Sequence, residues 1–252
     1  MQARLMGDQA EIRRQGQDAL KLYRVGLPKS LASQEAAALA VAEAVGVPAP
    51  RLRGKVQMIE GRWGFAMNWV EGPTFGAALY SGAAPDPDYL QAMASLHFSV
   101  HTQHAPELPN MKGRLGEEIH KAAAKGELNS EQGSALLEEL GKAPDSKHFC
   151  HGDFHADNII GRPGSAWIVD WPSAAHGDPL FDVCQSYMLM QRRHPALALA
   201  YVEAYAGKSG LVADDILGAG LPVVAGARLA DNVPDEVATL KKMVDGTFLW
   251  RP

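Results

Sequence analysis

At 252 residues, with 46% hydrophobic and 21% charged side chains, the chain can bury a full core as one large domain or two modest lobes. It has no apolar run long enough to span a bilayer, a net charge of −5 with scattered basic residues, and only two cysteines, Cys150 and Cys184; this argues against a membrane span, a nucleic-acid partner, a disulfide framework and a cysteine zinc site. Arg4, Asp8, Glu11, Arg13 and Arg14 interrupt any signal-peptide core, so the cytoplasm is the expected compartment.

Three short strands are expected over residues 3–6, 11–15 and 19–25, separated by Gly7-Asp8 and Gly16-Gln17-Asp18. In the third, Leu20 and Leu22 alternate with Lys21 and Tyr23, so Lys21 is aimed away from the leucine face. Residues 30–45, rich in Ala, Leu and Glu, predict a helix with Ser30 or Ser33 as N-cap, ending at Gly46. Residues 56–60 and 62–70 form a hairpin pattern around Gly61. Glu71-Gly72-Pro73 breaks it and marks a hinge. Beyond it helices dominate: a short one at 74–80, a long one at 88–104, others at 113–124 and 130–140 (the latter capped by Ser130), then 177–192, 196–206, 213–228 and 234–248. Two small strands, 159–160 and 167–169, interrupt this run.

The densest chemistry is His151-Gly152-Asp153-Phe154-His155-Ala156-Asp157-Asn158, followed by Trp167-Ile168-Val169-Asp170. A carboxylate, an amide and a second carboxylate at fixed intervals suit holding Mg²⁺ against a nucleoside triphosphate. Phosphoryl transfer passes through a loose transition state, so catalysis is mostly positioning and charge neutralisation. Asp153 is accordingly expected to be the base that accepts the proton of a substrate hydroxyl, and Asn158 and Asp170 the metal ligands. Singly, each is a common turn or strand-end residue; as an ordered set, followed by Gly177-Asp178-Pro179 and Asp182, they point to a site. His151 is expected to bond backbone across that site, and His155 and Asp157 to cap or face solvent. Asp178 and Asp182, four apart with Asp178 placed to cap the helix, are expected to anchor the catalytic loop through backbone N–H groups. His97, His101 and His104 share one helical face at a spacing that fits a transition metal, but without an acidic or Cys partner nearby they read as packing or surface residues.

On these motifs the chain resembles the aminoglycoside phosphotransferase and choline-kinase-like family, small-molecule kinases with a protein-kinase-like fold. The resemblance implies an α+β, two-lobed architecture: a nucleotide-binding lobe over residues 1–72 and a mostly helical catalytic lobe over 73–252. It implies ATP, or GTP, with Mg²⁺ as cofactors and a small-molecule hydroxyl as acceptor. Lys21 is then the lysine that touches the α- and β-phosphates, paired with Glu35, with Glu43 as competing candidate. The carbonyl of Asn68 and the N–H of Val70 read the adenine edge, and Gly7 lies in a phosphate-covering turn with a single glycine. In this family the acceptor pocket draws on the segments corresponding to 105–147 and 195–250. Acidic residues there, Glu138, Glu139, Asp214, Asp215, Asp231, Asp235 and Glu236, either receive a cationic acceptor or are ordinary solvated faces. The alternative from another class is a catalytically silent, nucleotide-binding regulatory module.

Overall fold

The computed structural model describes residues 4–6, 9–81 and 85–251; Gly7 and Asp8, expected in the phosphate-covering turn, lie outside the described residues. The chain begins with strands β1 (Arg4–Met6), β2 (Ala10–Gln15) and β3 (Asp18–Tyr23), followed by helix α1 (Lys29–Ala44), then β4 (Gln57–Ile59) and β5 (Arg62–Asn68). The strands form one antiparallel sheet in the order β1-β2-β3-β5-β4. Central β3 pairs with both β2 and β5, placing Lys21 opposite Ile12 and Phe65. Both faces of β3 are covered, so Lys21 and Tyr23 are as buried as Leu20 and Leu22. The β4–β5 hairpin turns through Glu60 and Gly61, both at positive φ, the backbone pattern that suits a glycine-containing two-residue turn.

After the sheet come α2 (Phe75–Leu79), α3 (Pro87–His101), α4 (Met111–Ala124) and α5 (Ser130–Lys142). Strand β6 (His148–Cys150) leads to a 3-10 turn at Ala156–Asn158, the hairpin β7 (Ile159–Arg162) and β8 (Ser165–Ile168), and β9 (Ala175–Gly177), which returns to pair with β6. Four helices follow: α6 (Pro179–Gln191), α7 (Pro195–Ser209), α8 (Ala213–Arg228) and α9 (Pro234–Val244). Helix α8 is the hub, packing against α4, α5, α6, α7 and α9. The result is an antiparallel sheet with one helix, joined to a mostly helical remainder.

Several boundaries differ from the sequence pattern for identifiable reasons. The N-cap of α1 is Pro28, with no side-chain hydrogen bond, rather than Ser30 or Ser33. Helix α5 is capped by Asn129, not Ser130, because Asn129 and Gln132 form a reciprocal capping box. Helix α9 stops at Val244, where Gly246 takes φ +68° and Thr247 and Phe248 fold back to donate to the Lys242 carbonyl.

Candidate active site

Lys21 is where the two halves of the molecule meet. Its ammonium donates to Glu35 Oε1 at 2.7 Å and to Asp170 Oδ1 at 2.6 Å. Burial opposes the charge, but Glu35 and Asp170 outweigh it and hold the Lys21 pKa above its ordinary value. Glu35 faces inward from α1 and accepts two further bonds, from the Tyr23 hydroxyl at 2.5 Å and the Trp171 backbone N–H at 3.1 Å. Glu43 lies on the outer face of the same helix, 3.6 Å from Arg51.

Asp170 adopts φ +66°, a left-handed conformation that costs a non-glycine residue energy and is retained where surrounding structure enforces it. Here Lys21 holds the Asp170 carboxylate while the N–H of the next residue, Trp171, donates to Glu35. Although burial favours the neutral acid, Lys21 keeps the Asp170 carboxyl below its usual range, so it is an anion. Among the described residues its second oxygen has no hydrogen-bond donor.

Asn158 ends the 3-10 turn, and its carbonyl accepts the Val169 N–H at 2.9 Å, bringing the amide beside the strand that delivers Asp170. Its Nδ2 donates to the Asp153 carbonyl at 2.9 Å and to Asp153 Oδ2 at 3.2 Å. The amide nitrogen is thereby committed and the amide oxygen left as an acceptor. With the Asp170 carboxylate, this is a set of hard oxygen donors that fits Mg²⁺.

Asp153 sits in the loop between β6 and the 3-10 turn. Burial and, secondarily, the negative charge of Asp170 push its carboxyl up to about 7, against the lowering effect of Asn158, which suits a base working near neutrality. The loop is shaped by Gly152, at φ +78° with the Ser173 carbonyl where a Cβ would stand. Buried His151 bridges the two active segments: its Nδ1 accepts the Asp153 N–H at 3.2 Å and its Nε2–H donates to the Val169 carbonyl at 3.1 Å.

Behind the loop is Asp182, fully buried on α6. Its Oδ2 accepts the His151 N–H at 2.6 Å and its Oδ1 the Gly152 N–H at 2.9 Å. The same Oδ2 lies 3.1 Å from Nε2 of both His97 and His101. The Nδ1 atoms of those rings meet the hydroxyls of Tyr201 at 2.5 Å and Tyr205 at 2.7 Å. Two neutral imidazoles, each donating through Nε2 and accepting at Nδ1, satisfy every partner, and four donors stabilise one carboxylate. Despite burial, His97 and these bonds hold Asp182 well below the carboxylate range. His97 and His101 thus form a buried brace rather than the edge packing expected from the sequence; His104 lies outside it, against His148 with ring centroids 5.0 Å apart. The signal was matched spacing: histidines four apart on α3 face tyrosines four apart on α7. Asp178 does not join in. It caps α6, as its position before Pro179 leads one to expect, its carboxylate accepting the Leu180 N–H at 3.0 Å; among the described residues it makes no hydrogen bond to the catalytic loop, so the anchoring expected of the pair falls to Asp182 alone.

The buried histidines make stability pH-dependent. An unfolded imidazole takes up its proton near pH 6.5, whereas burial lowers His97 to about 3 and His151 to about 4. Between these limits the unfolded chain binds more protons, so stability is lost as pH falls below 6.5, by about 2 kcal/mol per imidazole at pH 5. Urea unfolding at pH 8 and pH 5 should register a marked drop in midpoint; an unchanged midpoint would contradict neutral burial.

Asn68 ends β5, with its N–H donated to the Arg51 carbonyl and its side-chain oxygen accepting the Arg51 N–H at 2.5 Å. The Trp69 N–H goes to the Gln17 carbonyl on the other side at 2.8 Å. Val70, expected to read the adenine edge together with the Asn68 carbonyl, lies two residues beyond the end of β5. A cavity of about 320 Å³ adjoins the catalytic loop, lined by His155, Asp157 and residues of α6, α8, α9 and the α6–α7 link. His155 and Asp157 therefore face the cavity rather than merely capping the turn. Nothing from 105–147 lines it, because α4 and α5 pack against α8 instead. Of the seven acidic residues flagged in the sequence, only Asp235 and Glu236 reach it.

A two-lobed, kinase-like fold whose lysine–glutamate pair meets an aspartate from the opposite half defines a transferase of the kinase class. The sequence matches the phosphotransferase enzyme family over residues 11–215, and the chain belongs to that family. A thermostable mutant of aminoglycoside phosphotransferase APH(4)-Ia, solved with ADP and hygromycin B, superposes with a TM-score of 0.70 at 15% identity, covering 98% of this chain and 92% of that one. A choline/ethanolamine kinase family protein from Mesorhizobium loti gives 0.65 at 16% identity, covering 98% and 85%. Aminoglycoside-3'-phosphotransferase of type VIII gives 0.61 at 19% identity, covering 91% and 93%. No curated protein matches in sequence.

Proposed function

We propose that the protein transfers the γ-phosphate of ATP to a hydroxyl of a small molecule, with Asp153 as base and Asn158 and Asp170 as the ligands of Mg²⁺. The observation that carries this reading is the convergence on Lys21: residues 149 positions apart in sequence bond through one ammonium. A lysine so placed is positioned to hold polyphosphate between the sheet and the catalytic loop. Adenine nucleotides in the related structures support ATP as donor.

In this reading the acceptor hydroxyl oxygen forms a bond to the γ-phosphorus as the bond from that phosphorus to the bridging oxygen breaks, ADP leaves, and the hydroxyl proton passes to Asp153. Mg²⁺ would supply charge neutralisation on the phosphate oxygens. Lys21 exchanges its bond to Asp170 for the phosphates while keeping Glu35, which fixes its direction. Asn158 holds Asp153 by two hydrogen bonds, so the carboxylate stays aimed at the acceptor. His151 couples the position of that loop to the strand bearing Asp170.

ATP with Mg²⁺ should raise the Tm of the wild-type protein, by the equivalent of about 2.7 kcal/mol at a hundredfold excess over Kd. The shift should shrink strongly in Lys21→Met and in Asp170→Ala. A wild-type protein indifferent to millimolar ATP and Mg²⁺ would overturn the reading.

A further inference from the structure

The cavity beside the catalytic loop has a charge pattern of its own. Three arginines, Arg192, Arg193 and Arg228, and three carboxylates, Asp157, Asp235 and Glu236, line it. Of the acids only Glu236 is firmly engaged, while Asp157 and Asp235 are exposed. Glu236 accepts two hydrogen bonds from Arg228, at 2.8 and 3.3 Å, and Arg228 also donates to Asp231 at 2.7 Å. Asp157 lies 3.5 Å from the Thr74 hydroxyl, and the Asp235 side chain is 81% exposed.

The cations at the α6 end are less firmly held: Arg192 makes two long ion pairs and no side-chain hydrogen bond. Arg192 stands 3.6 Å from Glu236 and 3.9 Å from Asp235, beyond hydrogen-bond reach. Arg193, next to it and exposed, forms no ion pair among the described residues. Two adjacent guanidinium forks therefore face the cavity with donors to spare, and that geometry matches the paired oxygens of a carboxylate or phosphate. A polycation entering the same space meets these two positive groups and finds Glu236 already neutralised, leaving Asp157 and Asp235 as its only open carboxylates.

Size points the same way. About 320 Å³ is at the small end of ligand pockets. The stacked rings of Tyr80 and His194, with centroids 4.0 Å apart and 8° between planes, wall off one side. A single ring or short chain fills this space, which is open to solvent on its outer side.

We infer that the acceptor is a small hydroxyl compound bearing an oxyanion group, carboxylate or phosphate, held by Arg192 and Arg193, and that polycationic aminoglycosides are poor acceptors. This rests on the kinase reading above and adds the chemical class of its acceptor.

The test measures ADP release by the full chain with ATP and Mg²⁺ in four arms: D-glycerate and gluconate, glycerol 1-phosphate and fructose 6-phosphate, kanamycin and hygromycin B, and glycerol and choline. Turnover is expected in the first or second arm, and which of the two responds identifies the oxyanion. The double variant R192Q/R193Q should raise KM for the responding compound by about tenfold or more, equivalent to about 1.4 kcal/mol, with a smaller effect on kcat. Both positions are exposed, and retention of Tm verifies folding. Arg251→Gln, at a residue paired with Glu203 and Asp214 away from the cavity, should leave KM unchanged.

The inference is overturned if kanamycin, hygromycin B, glycerol or choline is used in preference to every oxyanion compound, or if the double variant leaves KM unaltered. It is also overturned if ATP binds but no oxyanion compound is either turned over or, by calorimetry with AMP-PNP and Mg²⁺, bound. Failure of the kinase reading looks different: no thermal shift with ATP and no ADP release in any arm, which removes the inference with it.

Discussion

Asp153→Asn is expected to lower kcat by about a thousandfold, or roughly 4 kcal/mol of transition-state stabilisation, while ATP still raises Tm as in the wild type. The asparagine keeps the volume and can still meet the Asn158 amide, so the loop retains its shape and only the proton acceptor is lost. A general base contributes about two to four orders of magnitude, and the raised pKa of Asp153, about 7, places it where that contribution is large near neutrality. Initial rates with a responding acceptor and nucleotide-induced thermal shifts provide the two readouts. A variant retaining more than about a tenth of the wild-type kcat would remove Asp153 from the base role.

The largest effect on stability is expected at Asp182. Asp182→Asn replaces one acceptor oxygen by an NH₂ group that faces donors: the His151 and Gly152 backbone N–H groups and two imidazole N–H groups. No rotation of the amide satisfies both sides. Removing one member of a buried charged network costs about 3–5 kcal/mol, which for a chain of this size is a fall in Tm of roughly 12 °C. Tyr205→Phe, which removes only the hydroxyl behind His101, should cost about 1 kcal/mol. Calorimetry on both variants would distinguish a central carboxylate from one hydrogen bond among many; equal losses would argue against the hub.

Much of this was legible in the sequence because it is local. Alternation identified β3, and Gly61 identified the hairpin. Apolar spacing identified α3, and the order Asp153, Asn158, Asp170 on two short segments pointed to the candidate site, where the folded chain places the three residues close together. Lys21 and Glu35 followed from the resemblance and are bonded in the folded chain. What stayed hidden depends on groups far apart in the chain. His97 and His101 carry no meaning until Tyr201 and Tyr205, more than a hundred residues on, fall opposite them. The N-cap of α5 depended on which of two adjacent polar residues the backbone favoured. The cavity drew on α6, α8 and α9 instead of α4 and α5, because the path of the helical segments around α8 is set by packing that no local pattern records.

Glu35 carries a further consequence, for control of the activity. Signalling kinases are switched by swinging the helix that bears the equivalent glutamate, breaking one ion pair to turn the site off. Here the carboxylate is held at once by Lys21, by the Tyr23 hydroxyl and by the Trp171 backbone N–H, so an outward swing of α1 would forfeit three buried hydrogen bonds, a loss of several kcal/mol. Such a helix is a fixture, not a lever: in the proposed reaction Glu35 would hold Lys21 in place without an activating movement of α1.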